Sequence, residues 1–306
     1  MNMVQSGVSS ETAKPPTFEA AMGAAMALTR DVELLASLVA HLQGSATGTI
    51  HDSIKGPLSA LTQRVLPQLD ELTPEQQQTI AGVLTSIFRQ AADLIEYPER
   101  PPGWTFDDPL VLQATGRASM SVAAVLAQVA PTLDGLADML ASGGSFCDVG
   151  TGTGWLAIAA ARAWPDARIT GIDIHPVALQ LAARNVADAG LGDRITLRSL
   201  DVCDLDGEHD LVWLPGPFLA AEIVPASLAA THRCLRTGGW LTFGVYGGPP
   251  DPVAQDLADL RTIRSGGHPW TPAEAVDAVT SAGFAHVREI ERTWNAPVRL
   301  IVGQRP

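Results

Sequence analysis

A glycine-rich turn between an apolar strand and a helix is the feature that most constrains this sequence. Residues 148–154 read DVGTGTG, after the apolar segment 146–149 and before a helical pattern over residues 155–163. Glycine at alternate positions lets the chain turn sharply and lets a ligand approach the backbone without Cβ clashes. The following helix presents free N–H groups and the positive end of its dipole to a nucleotide-like ligand. A tight turn without a ligand is the alternative for this motif alone.

Strand-like segments alternate with helical segments after this turn. They cover residues 169–174, 195–199, 210–214, 240–245, 287–292 and 298–302. This alternation predicts a doubly wound, Rossmann-like α/β fold, with a mostly parallel sheet and helices on both faces. The last two segments are joined by a short connection, which favours an antiparallel hairpin at the sheet edge because a parallel crossover needs a longer one.

Acidic residues at the ends of two further strands strengthen the nucleotide interpretation. Asp173 ends the second strand about 20 residues after the turn, where a carboxylate can accept hydrogen bonds from both hydroxyls of a ribose. Asp201 follows the third strand, where it can accept a hydrogen bond from an adenine amine. Each acid alone can equally cap the next helix. Two acids in this order after a glycine turn are much less ambiguous.

The spacing of the turn distinguishes between nucleotide folds. Dinucleotide folds use G-x-G-x-x-G, whereas this turn is G-x-G-x-G preceded by Asp148. Over residues 111–306 the chain resembles the class I S-adenosylmethionine-dependent methyltransferases. Residues 235–240, LRTGGW, also resemble that family's turn before its fifth strand.

The resemblance implies S-adenosyl-L-methionine as the cofactor. In the family, the turn contacts the methionine part, the second-strand acid the ribose and the third-strand acid the adenine. The candidate cofactor-binding positions here are Asp148, Gly150, Thr151, Gly152, Gly154, Asp173, Ile174, Asp201, Val202 and Leu214.

The segment before the first strand also resembles bacterial small-molecule methyltransferases with a helical N-terminal extension. The matching residues are 108–113 and 116–119. Arg117 in this segment is a candidate partner for the cofactor's carboxylate or for an anionic group of the substrate. An ordinary surface arginine is the alternative.

The N-terminal third of the chain is predicted to be helical. Residues 1–16 are polar and aperiodic, which predicts a disordered tail. Helical patterns cover residues 18–42, residues 58–72 with a bend near Pro67, and a segment that begins at Thr73-Pro74 and ends before a linker of residues 97–103. A further helix is predicted over about residues 118–129, before the first strand. We expect residues 17–103 to form a helical lid or dimerisation domain, and residues 104–306 to form the cofactor-binding domain. So few helices have difficulty burying their apolar faces alone, which favours a homodimer.

The turn after the fourth strand bears on the methyl acceptor. Residues 214–218 read LPGPF, with an apolar residue where enzymes that methylate exocyclic amines often have Asn or Asp. This departure counts against a nucleic-acid base as acceptor. No acid cluster of the catechol-enzyme type follows strands four and five, so we expect no metal ion. The expected acceptor is a hydroxyl of a small hydrophobic molecule, with methylation of carbon or nitrogen as the alternative.

His268 is the expected catalytic base. A hydroxyl acceptor needs a base, and histidine is the usual one near neutral pH. His268 lies in residues 264–270, RSGGHPW, after the fifth strand and on the side of the sheet where substrates bind. The alternative is that it only packs beside the helix beginning near Thr271. His175 is expected to contact the cofactor's adenosine, or nothing.

Charge and cysteine content restrict the remaining possibilities. The formal net charge of −13 disfavours nucleic acid and anionic membranes as partners. No apolar run approaches the roughly 18 residues of a membrane span. Three separated cysteines favour reduced thiols and a cytoplasmic location. A nicotinamide-dependent oxidoreductase is disfavoured by the turn spacing, and a non-catalytic interaction protein with the same fold is the alternative from another class.

Overall fold

The computed structural model describes residues 17–248 and 251–306, apart from the side chain of Asp70. The predicted disordered tail of residues 1–16 therefore lies outside the described residues. The helices are α1 Phe18–Thr47, α2 Asp52–Val65, α3 Pro74–Glu96, α4 Pro109–Val129, α5 Leu136–Ala141, α6 Trp155–Ala163, α7 Pro176–Asp188, α8 Val224–Cys234, α9 Pro252–Arg264 and α10 Pro272–Ser281. The strands are β1 Ser145–Val149, β2 Arg168–Asp173, β3 Ile195–Ser199, β4 His209–Pro215, β5 Leu235–Tyr246, β6 Ala285–Glu289 and β7 Val298–Gln304.

Contacts divide the chain into two compact units, Met1–Leu84 and Thr85–Pro306. This division falls inside α3, whereas the sequence places a linker after that helix. The functional role predicted for residues 17–103, as a lid or dimerisation domain, stays a prediction.

The first unit is helical throughout its described residues. The predicted start of α3 is confirmed by a capping box, in which Gln76 Oε1 accepts a hydrogen bond from the Thr73 N–H at 2.9 Å. The predicted start of α2 near residue 58 is wrong, whereas the bend predicted near Pro67 is found as a break in the helix. This helix begins at Asp52 and ends at Val65, because Pro67 starts a separate 3₁₀ turn. A small core of Leu38, Leu42, Leu69 and Ala81 holds the unit together.

The second unit contains a seven-stranded sheet in the order β3-β2-β1-β4-β5-β7-β6. Strands β1 to β5 pair in parallel, and β7 is antiparallel to both β5 and β6. This confirms the predicted doubly wound α/β fold and its antiparallel hairpin. The order of the strands reverses between β1 and β4, and in such sheets ligands bind at the carboxyl ends of the strands at that point.

The central strands β1 and β4 are buried on both faces of the sheet. Leu211 and Trp213 belong to one hydrophobic cluster, and Val212 and Leu214 belong to the other. Successive side chains of a strand point to opposite faces, so each strand supplies both cores. Burial of this kind fixes the register of the strand ends that carry the site.

Two elements begin earlier than the sequence predicts. Helix α4 starts at Pro109 and not near residue 118, because Asp108 accepts a hydrogen bond from the Leu110 N–H at 2.9 Å and caps the helix. Strand β5 starts at Leu235, so the LRTGGW string lies inside the strand. A bulge against β4 and the positive φ of Gly238 accommodate the turn-like residues there.

Residues Pro109–Thr132 are long and apolar enough to cross a membrane by length and composition, with a mean hydropathy of 1.3. This segment is not a continuous apolar run of the kind that the sequence analysis considered, because Gln113, Arg117 and Gln128 interrupt it. A single such helix is a weak indication, since a core helix passes the same test. One face of α4 is buried, at Val111, Leu112, Ala114, Ala123, Val125, Leu126 and Val129.

Candidate functional site

The glycine turn joins β1 to α6 at the carboxyl edge of the sheet. Gly150, Gly152 and Gly154 have φ values of 65°, 55° and 79°, in the left-handed region that favours glycine. A Cβ added at Gly152 would have no described atom closer than the Gly150 carbonyl oxygen at 3.9 Å. The backbone of the turn is therefore open on one side, as contact with a ligand requires.

Asp148 supports this turn from inside the protein. Its carboxyl is 1% exposed and accepts a hydrogen bond from Thr151 Oγ1 at 2.7 Å. Burial raises the pKa of Asp148 from 3.8 to about 7, although hydrogen bonds from Thr151 and from the Ala157 backbone act in the opposite direction. Asp148 and the nearly buried Thr151 thus hold the turn in shape and offer almost no surface to a ligand.

Asp173 ties the turn to the end of β2. One carboxylate oxygen accepts a hydrogen bond from the Gly152 N–H at 2.7 Å, and the other accepts from the His175 N–H at 2.8 Å. Each carboxylate oxygen can accept a further hydrogen bond. Asp173 is half-buried, and the neighbouring Ile174 is 68% exposed. The Asp173 carboxylate therefore remains available to a ribose, and the Ile174 side chain remains available to an adenine ring.

His175 has a structural role in the described residues. Its Nδ1 accepts a hydrogen bond from the Ala178 N–H at 3.2 Å and caps α7. Its Nε2 lies 3.3 Å from a carboxylate oxygen of Asp107. Both ring nitrogens therefore have protein partners.

The remaining predicted cofactor positions differ in their accessibility. Asp201 is exposed, and one of its oxygens accepts a hydrogen bond from the Cys203 N–H at 2.8 Å. Val202 is 7% exposed. Leu214 has no exposed surface because it packs in the core with Cys147 and Leu228. This arrangement leaves Leu214 no surface with which to contact a ligand.

Arg117 lies beside the glycine turn, at the amino end of α6. Its guanidinium carbon is 4.0 Å from the centre of the Trp155 ring. The indole N–H of Trp155 donates a hydrogen bond to Gln113 at 2.6 Å, and Asn185 bonds both Gln113 and the Thr153 carbonyl. The sequence reasoning missed Gln113, Trp155 and Asn185. Recognising Asp108-Pro109 as a helix start would have placed Gln113 and Arg117 one turn apart on α4.

The turn after β4 lies between the glycine turn and the loop that carries His268. A Cβ added at Gly150 would be 3.4 Å from the Pro215 ring, and one added at Gly267 would overlap the Pro217 carbonyl. The structure thus brings the predicted cofactor turn and the predicted base to neighbouring parts of one edge. Within the described residues, the His268 ring forms no hydrogen bond, and it packs edge-on against Trp270 at 4.7 Å.

Aromatic side chains surround this part of the edge. Phe218 is half exposed, and its ring centre is 5.9 Å from that of Trp104. Trp104 also contacts Phe106 at 5.4 Å, and Trp270 contacts Phe243 at 5.6 Å. The region is apolar, and the part of the chain that the structure describes has no group of three His, Cys, Asp or Glu side chains able to hold a metal ion.

A family model described as "Methyltransferase domain" matches residues 146–239. The matched residues run from β1 into the first residues of β5 and include the glycine turn, Asp173 and Asp201.

A curated relative from Vibrio campbellii, a tRNA1(Val) (adenine(37)-N6)-methyltransferase, is 37% identical over 89 residues. The match covers 28% of this chain and 37% of the relative. The chain therefore spans little more than a third of the length of that relative.

Solved structures match nearly the whole chain at low identity. An O-methyltransferase family protein from Burkholderia thailandensis has a TM-score of 0.66 at 16% identity, covering 93% of this chain and 98% of its own. Human N-acetylserotonin methyltransferase, in complex with S-adenosylmethionine, has a TM-score of 0.67 at 16% identity, covering 96% and 99%. The likeness at these identities is one of fold.

The buried carboxyl of Asp148 predicts a pH-dependent stability. Its pKa is raised on folding, so the folded state keeps a proton that the unfolded state loses above pH 3.8. The wild-type protein should therefore lose about 1.4 kcal/mol relative to Asp148→Asn for each pH unit up to about pH 7, and no more above it. All seven tryptophans lie in the second unit. Urea unfolding followed by their fluorescence measures this unit, and a difference independent of pH would contradict the assignment.

Proposed function

We propose that this class I S-adenosylmethionine-dependent methyltransferase transfers a methyl group to a hydroxyl oxygen of a small hydrophobic molecule, with His268 as the base. One observation carries the proposal. The glycine turn, the turn after β4 and the loop of His268 are neighbours at one edge of the sheet, where Gly150 approaches the Pro215 ring and Gly267 approaches the Pro217 carbonyl closely enough to leave little or no room for a side chain.

S-adenosylmethionine is the cofactor, and the residues at the edge of the sheet fit it. The open backbone at Gly152 suits its amino-acid part, and the half-buried carboxylate of Asp173 suits the two ribose hydroxyls. The exposed carboxylate of Asp201 suits the adenine amine, and Arg117 suits the carboxylate. The cofactor supplies a strongly electrophilic methyl group attached to a sulfonium.

The protein must then align the acceptor and keep water away. The aromatic side chains of Trp104, Phe218 and Trp270 favour an apolar acceptor and limit access of water. His268 accepts the proton of the acceptor hydroxyl at a ring nitrogen that has no hydrogen-bond partner within the described residues. No step of this scheme needs a metal ion.

Two alternatives concern the acceptor. Methylation of a carbon or nitrogen of a small molecule would not require His268. The relative from Vibrio campbellii is named for methylation of a tRNA adenine, but here the net charge is −13 and Leu214 stands before the prolines of the turn after β4. Both features favour a small molecule over nucleic acid.

A non-catalytic protein with this fold is the alternative from another class. Such a protein would bind the cofactor without turnover.

We also propose that the chain forms a homodimer through α1. Every residue from Phe18 to Glu33 is exposed, including the large apolar side chains of Phe18, Met22 and Met26. At 100° per residue, these three lie on the side of the helix opposite to Leu38 and Leu42, which pack in the core of the first unit. The amino-terminal half of α1 is exposed, and an isolated helix of this length is only marginally stable in water. We therefore propose that a second copy of the chain covers this apolar stripe.

The cofactor assignment predicts that Asp173→Ala weakens binding of S-adenosylhomocysteine. The substitution removes the acceptor of the ribose hydrogen bonds and the contact with the Gly152 N–H, which should raise Kd about 10- to 100-fold. Isothermal titration calorimetry measures the change. Asp188→Ala, at an exposed position at the end of α7, is the matched control and should leave Kd unchanged. Equal affinities for all three proteins would refute the role of Asp173.

The assignment of His268 as the catalytic base predicts that His268→Ala lowers kcat about 10²- to 10⁴-fold, measured with an identified hydroxyl acceptor. Affinity for S-adenosylhomocysteine should be unchanged, because His268 is not among the residues that fit the cofactor. His286→Asn is the control, since it removes an exposed histidine and asparagine tolerates the positive φ found there.

A chelator tests whether the reaction needs a metal ion. Addition of EDTA should leave the turnover of the wild-type enzyme unchanged. A loss of turnover that Mg²⁺ restores would contradict the metal-free mechanism.

Near-normal kcat of His268→Ala with a hydroxyl acceptor would contradict the role of His268 as the base and leave it only a packing role.

The dimer proposal predicts that Met22→Glu with Met26→Glu gives a monomer, because two carboxylates would have to be buried in the interface. Light scattering coupled to size-exclusion chromatography measures the mass. Ala27→Glu is the control; it places one carboxylate on the other side of α1 with little change in helix propensity, and it should remain dimeric. A monomeric wild-type protein, or a dimeric double variant, would exclude this interface.

A further inference from the structure

Two side chains of α4 meet the same tryptophan at the start of α6. Gln113 and Arg117 are four residues apart, so they lie on one face of the helix. Gln113 accepts a hydrogen bond from the Trp155 indole N–H at 2.6 Å, and the guanidinium carbon of Arg117 lies 4.0 Å from the ring centre. The indole is therefore held at its edge by one residue and contacted by the cation of the other.

The position of the indole is fixed by a hydrogen-bond network that reaches the glycine turn. Gln113 and Asn185 form a reciprocal pair of amide hydrogen bonds, each 3.1 Å long. The side chain of Asn185 also donates to the Thr153 carbonyl at 2.8 Å. The same atoms that hold the indole thus hold the turn that contacts the cofactor.

Close packing of α4 sets the distance between Arg117 and the turn. A Cβ added at Gly116 would overlap Thr153 Oγ1 and lie 3.1 Å from Trp155 Cδ1. Glycine at this position allows the helix backbone to approach the turn directly. Arg117 follows in the next position, so its side chain starts beside the amino end of α6.

Arg117 has no carboxylate partner within the described residues, although the chain has 33 acidic side chains against 20 basic ones. Its guanidinium is half-buried and contacts the indole, an arrangement that leaves the N–H groups at its edge free to donate. The planar edge of a guanidinium matches a carboxylate with two parallel hydrogen bonds. A cation held in this way is suited to an anionic group of a ligand.

We propose that Trp155 is a positioning residue that orients Arg117 toward the α-carboxylate of the cofactor's methionine part, with Gln113 and Asn185 holding the indole. The residue after the last glycine of the turn thereby acts on cofactor recognition through a neighbouring helix. The proposal depends on the cofactor and not on the acceptor or on His268. The positioning role of Trp155 can be refuted while the hydroxyl acceptor is confirmed. Equally, the hydroxyl acceptor can be refuted while the role of Trp155 is confirmed.

Two ligands distinguish positioning of Arg117 from general support of the turn. S-adenosylhomocysteine carries the carboxylate, whereas 5′-methylthioadenosine has the same adenosine and sulfur but no amino-acid group. Trp155→Leu and Arg117→Met should each raise the Kd of S-adenosylhomocysteine about tenfold. The Kd of 5′-methylthioadenosine should change less than twofold. Arg162→Met, which removes an exposed arginine from α6, is the matched control and should change neither.

Two further variants test whether Trp155 acts through Arg117. Trp155→Phe keeps a ring for the guanidinium but cannot donate to Gln113, so its loss should be about threefold. In the Arg117→Met background, Trp155→Leu should cause no additional loss, because residues that act as one unit are not additive.

Calorimetry with both ligands decides the outcome. An equal loss for S-adenosylhomocysteine and 5′-methylthioadenosine in Trp155→Leu would mean that Trp155 only supports the turn. Additive losses in the double variant, or unchanged affinity in Arg117→Met, would overturn the proposal as well. If the wild-type protein bound neither ligand, the cofactor assignment itself would fail.

Discussion

The left-handed backbone of the turn between β1 and α6 is the constraint on which the site depends. Glycine reaches the three positive φ values without strain but has many other conformations open to it, so neighbouring elements must select this one. Asp148 and Thr151 support the turn from the core, and Asp173 binds the Gly152 N–H from β2. Asn185 binds the Thr153 carbonyl from α7. Elements β1, β2, α6 and α7 are therefore oriented around one turn, and they leave the side of the turn at Gly152 open.

The fold could be predicted where the pattern of apolar residues agrees with the local signals at helix ends. The helix after the turn was predicted with its observed bounds, Trp155–Ala163, because an apolar face follows directly on the glycine that starts it. The first two turns of α4 could not be recognised from the apolar pattern. Gln113, Gly116 and Arg117 interrupt it there, because these residues face the glycine turn and α7 and not the hydrophobic core.

The proximity of the candidate cofactor positions was predictable for the same local reason. Asp148, Gly152 and Asp173 lie at the ends of two successive strands that pair in the sheet, so order along the chain translates into proximity. Contacts between distant parts of the chain were not predictable. Gln113 and Asn185 are 72 positions apart, and Trp104 meets Phe218 across an even longer interval of the chain. The burial of Leu214 was not predictable either, because successive side chains at the end of β4 point to opposite faces of the sheet and both faces are covered.

The strand order also governs how the sheet can be assembled. β7 lies between β5 and β6, although it follows both in the chain, and it is the only sheet partner of β6 in the described residues. Strands β1 to β5 can pair as they are synthesised, whereas the hairpin of β6 and β7 joins the sheet only through the pairing of β7 with β5, across the segment that contains α9 and α10. Pairing between such distant segments is slow because a long loop must close first. A chain that stops short of Val298 would therefore keep the glycine turn and the strands around it, and would leave β5 as an unprotected strand, open to association with other chains.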